Sequence, residues 1–197
     1  MARPKAFDEN MVLVGAMHAF RRSGYSGVSI KDLEQATGLK SGSIYNSYGD
    51  KDGLFRAALG HYNLAVVRGR LEMYATEAAG IAGLRRLFLS LLREPDGGSN
   101  GCLLTNSAIE FGSGASIARD GVRQGFDLLR QAFVRVLTRA REQGKLSRDI
   151  DIDAAALKHL VLYQGLLVLI RCGRDTSDLA RLIEAEFDQL EGRRNDP

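Results

Sequence analysis

Residues 28–55 constrain the fold of this chain more than any other segment of its sequence. The segment alternates residues that start helices with residues that stop them, in the order Ser29, Gly38, Ser41, Gly49 and Asp50. Serine and aspartate favour helix starts because their side-chain oxygens accept hydrogen bonds from free backbone N–H groups, whereas glycine readily adopts the left-handed conformation that ends a helix. This order predicts two short helices joined by a tight turn and followed by a further helix, which is the arrangement of a helix-turn-helix motif.

Apolar residues on both sides of the turn recur at helical spacing and predict a small core. The expected first helix ends at Gly24 and carries on one face Leu13, Ala16, Met17 and Phe20. The inward-facing residues of the segments that follow are Ile30, Leu33, Ala36, Ile44, Leu54, Phe55, Ala58 and Tyr62. The residues left to point outward, where they could form hydrogen bonds with a partner, are Ser43, Tyr45, Asn46 and Tyr48.

The composition fits a helical protein without a secretion signal. The chain has 197 residues, of which 45% are hydrophobic, and a net charge of +3 that tolerates a polyanionic partner. Two cysteines are too few for a disulfide framework and the N-terminus lacks a signal-peptide run, so the expected location is the cytoplasm. The longest apolar run, Leu160–Ile170, is about half of the ~20 residues that span a bilayer, so no membrane partner is expected.

From about Met11 to Phe55 the chain resembles the DNA-binding domain of the TetR family of one-component repressors. The resemblance rests on the apolar spacing, the helix caps, the turn glycine and the aromatic–glycine–acid–lysine ending at residues 48–51. It implies that double-stranded DNA is the partner. The residues that would contact DNA are Ser29, Lys40, Ser41, Gly42, Ser43, Tyr45, Asn46, Tyr48 and Lys51.

The resemblance also implies a role for each part of this set. Ser29 would start the helix that rests on the phosphates, and residues 41–43 would open the recognition helix in the major groove. Tyr45 and Asn46 would lie along base edges and backbone, whereas the first residues of the fourth helix would meet the DNA backbone. Tyr48 would donate a hydrogen bond to a phosphate.

Downstream of residue 50 the sequence predicts long helices, so we expect an all-α chain with two domains. Residues 1–50 would form the helix-turn-helix head, and residues 51–197 an effector-binding and dimerisation domain. One long helix is marked by Val122, Phe126, Leu129, Phe133 and Val136, the next by residues 157–170, and the last by Leu179, Leu182, Ile183, Phe187 and Leu190. Because a helix that is apolar on most sides needs several neighbours, the last two are expected to pair with their copies in a homodimer. Packing within one chain is the alternative.

Residues 101–112 form a second informative segment. If the segment is helical, Cys102, Asn106 and Glu110 recur every four residues and share one face. The segment resembles a TetR subgroup whose sixth helix begins with Gly-Cys and borders an effector cavity. That resemblance implies a pocket for a small-molecule effector lined by Cys102, Asn106, Glu110 and Phe111. We add Tyr163 and Gln164, because polar groups amid leucines need partners if they are enclosed.

Other interpretations of the same segment remain open. Cys102 could be a small buried residue, Asn106 could bond a neighbouring helix or cap its own, and Glu110 could be solvated. In a further alternative, a reactive Cys102 thiol senses electrophiles or oxidants.

Three other patterns give weaker signals for catalysis or metal binding. Residues 97–101 read G-x-S-x-G, as in a hydrolase nucleophile elbow, but no strand precedes Ser99 and no histidine is positioned beside it. Residues 149–153 alternate acids but lack the glycine and closing glutamate of a calcium loop, and Asp153 is expected to cap the next helix. The histidines lack zinc-site spacing. No catalytic residue, cofactor or metal is therefore expected, and a small hydrolase or a helical adaptor is the alternative from another class.

Overall fold

A computed structural model describes residues 7–93, 100–112 and 116–192, and within those ranges it contains helices and turns but no strand. The N-terminal elements are α1 (Glu9–Ser23), α2 (Ile30–Thr37), α3 (Ser41–Tyr48), α4 (Lys51–His61), a π-helix (Tyr62–Arg68) and α5 (Gly69–Tyr74). The remaining elements are α6 (Gly80–Leu89), a 3-10 helix (Ser90–Arg93), α7 (Leu103–Phe111), α8 (Arg119–Glu142), α9 (Ile152–Arg171) and α10 (Thr176–Leu190). The predicted all-α class is confirmed. Ser99 lies outside the described residues.

Backbone contacts divide the chain into two compact units. The first unit comprises Met1–Val66 and Cys102–Gly125, and the second comprises Val67–Gly101 and Phe126–Pro197. Helix α7 therefore belongs to the same compact unit as α1, α2 and α3, although it follows them by more than fifty residues. These contacts do not test the predicted boundary between a DNA-binding and an effector-binding domain after residue 50, which stays a prediction.

The first unit is built on the core that the apolar spacing predicts. Its fully buried side chains include Phe20, Leu33, Ile44, Leu54 and Phe55. Three residues differ from the prediction, because Leu13 and Ile30 are half-buried and Ala36 is exposed. Helices of eight residues, such as α2 and α3, are marginal in water by themselves, so burial of these apolar side chains is what stabilises them.

The second unit has an aromatic core contributed by four helices. Phe88 lies against Tyr163 and Phe187, with ring centroids 5.2 Å apart in both pairs, and Phe133 lies 5.9 Å away. His159 joins this cluster, and burial lowers the pKa of its imidazole, so the neutral ring is favoured. Phe133 of the predicted α8 stripe and Phe187 of the predicted α10 stripe therefore lie in the core of this unit, whereas Leu182 of the α10 stripe is exposed.

The start of α9 lies earlier than the sequence predicts. Asp151, not Asp153, is the N-cap, and its carboxylate accepts hydrogen bonds from the N–H groups of Asp153 and Ala154 at 3.0 and 3.1 Å. The helix begins at Ile152, whose side chain is buried, and this places Asp153 in the first turn. There Asp153 pairs with Arg130 at 2.6 Å instead of capping the helix.

Helix α9 exposes an apolar stripe. Its exposed members are Leu157, Val161, Val168 and Leu169, at 52%, 65%, 39% and 42% of full exposure. By length and composition α9 could cross a membrane, with a mean hydropathy of 1.4 over its most apolar window, and 33% of that window is buried. The stripe is larger than single scattered apolar residues and therefore needs a partner to cover it.

One cation joins α6 to the end of α10. The Arg85 guanidinium pairs with Glu184 at 2.5 Å, Asp188 at 2.7 Å and Glu191 at 2.9 Å, and its side chain is 18% exposed. Three carboxylates converge on this single positive charge, so its removal would leave them repelling one another.

We expect Arg85→Met to lower the free energy of unfolding by about 2 kcal/mol, because the three carboxylates lose their common partner. Denaturant unfolding followed by circular dichroism measures the change. Arg86→Met is the matched control, since Arg86 is the exposed neighbour on the same helix. Equal stability of the two variants would contradict the proposed role of the ion cluster.

Candidate nucleic-acid interface

Helix α2 starts with a complete capping box. The Ser29 hydroxyl accepts from the N–H of Asp32 at 3.1 Å, and the Asp32 carboxylate accepts from the Ser29 N–H at 2.8 Å and from its hydroxyl at 2.6 Å. Hydrogen bonds from the Ser29 side chain and backbone hold the pKa of Asp32 below its ordinary value. The predicted cap is confirmed, and it fixes where α2 begins.

The turn between α2 and α3 is made by Gly38, as predicted. Its backbone has φ 70° and ψ 2°, the left-handed conformation that side chains disfavour, and its N–H donates to the Glu34 carbonyl at 3.0 Å. The Glu34 carboxylate in turn accepts from the Ser41 N–H at 2.5 Å. Because a side chain of α2 thus satisfies the first N–H of α3, Ser41 is not the N-cap. That position is taken by Lys40, without a side-chain bond.

Helix α3 turns a polar face outward. Ile44 is fully buried, whereas Tyr45 is 48% exposed and Asn46 is exposed beside it. Ser43 and Tyr48 are half-buried, and burial, with the nearby Glu9 carboxylate, raises the pKa of the Tyr48 hydroxyl. One short helix therefore presents tyrosine, asparagine and serine groups from a rigid support, as a recognition helix requires.

The start of α4 lies next to this face in the chain. Asp50 caps the helix by accepting from the Gly53 N–H at 2.7 Å, as predicted. The Lys51 ammonium lies 4.3 Å from the centroid of the Tyr25 ring, a distance suited to a cation–π contact. Tyr25, which no sequence pattern predicted as a site residue, thus contacts Lys51, which is predicted to meet the DNA backbone.

Three residues of α7 that are predicted to line an effector pocket contact the end of α1 and the turn that follows it. The Glu110 carboxylate accepts from the N–H groups of Tyr25 and Ser26, and the Asn106 side chain donates to the Arg21 carbonyl at 3.0 Å. Phe111 packs against the Tyr25 ring with centroids 5.2 Å apart. These contacts join residues about 85 positions apart, which periodicity cannot reveal.

The other three predicted pocket residues are enclosed or half-enclosed. Cys102 is 4% exposed and its sulfur accepts a hydrogen bond from the Tyr62 hydroxyl at 3.5 Å. Tyr163 is 5% exposed within the aromatic core of the second unit, and Gln164 is half-buried. Effector binding by Cys102, Asn106, Glu110, Phe111, Tyr163 and Gln164 stays a prediction.

An open cleft of about 800 Å³ lies in the first unit, between α4 and the first turns of α8 with the residues just before them. The residues that line it are Arg56, Leu59, Gly60, Ser116, Ile117, Asp120, Gly121 and Gln124. No pattern in the sequence predicts this cleft. Among the residues that the structure describes, no three His, Cys, Asp or Glu side chains are grouped in a way that could hold a metal ion.

The capped α2, the left-handed turn and the outward face of α3 define a helix-turn-helix protein. Residues 12–58 match the family model described as Bacterial regulatory proteins, tetR family, and residues 80–186 match the model described as Tetracyclin repressor-like, C-terminal domain. The second match alone covers more than half of the chain. The chain belongs to the TetR family of transcriptional regulators.

Individual relatives agree with this assignment. The chain is 35% identical to the HTH-type transcriptional regulator YezE of Bacillus subtilis, over 92% of this chain and 94% of the relative. It is 23% identical to the HTH-type transcriptional repressor ComR of Escherichia coli, covering 91% and 87%. Among solved structures, the TetR family regulator CifR, a cysteine mutant complexed with 26 bp operator DNA, is 26% identical with a TM-score of 0.82 and covers 96% of this chain and 100% of its own. These relatives are regulators, so the hydrolase and adaptor alternatives are not supported.

We expect Ser29→Ala to raise the pKa of Asp32 toward its ordinary value, because one of the bonds that stabilise its carboxylate is lost. A carboxyl group whose pKa is lowered by folding stabilises the protein above its unfolded pKa and loses this effect as the pH falls. The destabilisation by Ser29→Ala should therefore shrink below about pH 4. NMR titration and unfolding at several pH values measure both effects. Ser23→Ala, at an exposed serine, is the control, and an unchanged Asp32 pKa would contradict the capping role.

Proposed function

We propose that this protein binds a palindromic operator as a homodimer, represses transcription there, and leaves the operator when a small molecule binds to its larger domain. The expected location is the cytoplasm, where bacterial DNA is accessible. The observation that supports this function best is the outward face of α3, where exposed Tyr45 and Asn46 stand beside the buried Ile44 on a capped and closely packed motif.

The apolar stripe of α9 supports a homodimer. Leu157, Val161 and Val168 follow one another at spacings of four and seven residues, which places them on a single face. On α10, Leu182 is also exposed, at 46%. Pairing of α9 and α10 with their copies would cover these side chains in a four-helix interface and present two heads to the two halves of a palindrome.

The helical run that leaves the head suits regulation. Helical backbone continues from Lys51 through the π-helix to Tyr74 without an intervening loop. A tilt of this run would move the recognition helix, and an effector can drive such a change only if it binds the two arrangements with different affinity.

The thiol-sensing alternative is not favoured, because the Cys102 sulfur is buried and already hydrogen-bonded to Tyr62.

Selection of bound sites from random DNA duplexes tests the proposed function. We expect one palindromic sequence to be enriched, and Tyr45→Ala to weaken affinity for it about tenfold or more while leaving dimerisation unchanged, because a groove contact is lost. Met73→Ala is the control, since Met73 is 70% exposed and lies outside the head.

One result would contradict the proposed function, and another would contradict only the role of Tyr45. Enrichment of no sequence would remove specific DNA binding as the function of the chain. Enrichment of a palindrome, with equal affinity for the Tyr45→Ala variant, would retain the function and remove Tyr45 from the contact set.

We expect Val161→Glu to raise the dimer dissociation constant at least about tenfold, because it places a charge at the centre of the apolar stripe. Sedimentation velocity at micromolar protein measures the change. Met73→Glu introduces the same charge at another exposed apolar residue and should leave the dimer intact. A dimer that tolerates Val161→Glu as well as Met73→Glu would place the interface elsewhere.

A further inference from the structure

The carboxylate of Glu110 accepts hydrogen bonds from two consecutive backbone N–H groups of the head. Its Oε2 atom accepts from the Tyr25 N–H at 2.8 Å, and its Oε1 atom accepts from the Ser26 N–H at 2.6 Å. Both donors belong to the turn between α1 and α2. Charge-assisted hydrogen bonds of this kind are about twice as strong as neutral ones, and their paired geometry fixes direction as well as distance.

The backbone before the turn is shaped for this contact. Gly24 ends α1 with φ 74°, and a Cβ atom at this position would lie 3.0 Å from the Glu110 Oε2 atom. A side chain here would therefore be strained by its backbone conformation and would also crowd the carboxylate. The glycine lets the chain turn so that the next two N–H groups face the same acceptor.

Two further residues of α7 contact the same region. One helical turn before Glu110, the Asn106 side chain donates to the carbonyl of Arg21, near the end of α1. Directly after Glu110, the Phe111 ring packs against Tyr25 and Phe55, with centroids 5.2 and 5.5 Å apart. Helix α7 thus holds both the end of α1 and the turn that follows it.

The turn that Glu110 holds also supports a residue of the candidate interface. The Tyr25 hydroxyl donates to the Asp52 carboxylate, and this bond, together with burial and nearby negative charge, raises the pKa of Tyr25 to about 12. The Tyr25 ring lies under the Lys51 ammonium. Burial alone would raise the pKa of Glu110, but hydrogen bonds from Ser26 and Tyr25 and the charge of Lys51 outweigh it, so the pKa is lowered and the carboxylate is ionised.

We propose that Glu110 is a positioning residue for operator binding, whose carboxylate fixes the Tyr25–Ser26 turn on α7 and thereby orients Lys51 and the head. This inference rests on the proposed DNA-binding function. Through these two hydrogen bonds Glu110 fixes the head directly to α7.

The test is Glu110→Gln in the full-length protein. Glutamine has nearly the same shape but keeps one acceptor and sets an NH₂ donor against a backbone donor. We expect operator affinity to fall about tenfold, because one charge-assisted bond becomes neutral and the other is lost. Hydrogen exchange at the N–H groups of Tyr25 and Ser26 should accelerate. Glu77→Gln makes the same charge change at an exposed site and should match the wild type.

A second measurement separates positioning from a general loss of stability. The wild type should bind less tightly to operators whose half-sites are moved apart or together by one base pair. In Glu110→Gln this loss of affinity should be smaller, because each head samples more orientations. Asn106→Ala, which leaves Glu110 intact, should show a smaller change in the same direction. Thermal unfolding of each variant accompanies the binding measurements.

Either of two outcomes would overturn the inference. One is wild-type affinity and spacing preference in Glu110→Gln, and the other is uniform weakening at every spacing, which a destabilised fold alone would cause. If the wild-type protein itself enriches no palindrome, the proposed function fails and the role of Glu110 in operator binding fails with it, whereas the exchange measurement still reports whether the carboxylate holds the turn.

Discussion

Tertiary packing, rather than intrinsic helix stability, creates the surface that this protein offers to a partner. Helices α2 and α3 have eight residues each, and segments of that length are marginal in water. Leu33 and Ile44 anchor them in a core with Phe20 and Phe55, all at most 1% exposed. The polar face of α3 is rigid because its opposite face is buried, so the same helix serves stability on one side and recognition on the other.

The division of the chain by contacts changes the interpretation of α7. In sequence order this helix belongs with the downstream helices, yet it packs with the head, and Glu110, Asn106 and Phe111 all contact α1 or the turn after it. Their polarity, which suggested a lining for a ligand, has a structural explanation in these contacts. A role in binding an effector is an additional proposal for the same side chains.

Local features of the fold could be predicted from the sequence, whereas contacts between distant segments could not. Ser29, Gly38 and Asp50 were identified because a cap or a left-handed turn depends on a few neighbouring residues. The sequence predicts Ser41 and Asp153 as N-caps where the structure has Lys40 and Asp151, because long-range contacts and burial decide between nearby positions. The π-helix after α4 and the bonds between Glu110 and residues 25–26 leave no periodic signal, since one changes the helical repeat locally and the other joins distant segments.

The exposed stripe of α9 links the stability of this protein to its concentration. If a second copy covers Leu157, Val161 and Val168, part of the free energy that keeps the long helices folded is supplied by association, and it varies with the logarithm of protein concentration. Occupancy of a palindromic DNA site by the dimer then depends on the square of the free protomer concentration when protomers are scarce. A cell could therefore set the steepness of the response simply by how much of the chain it makes.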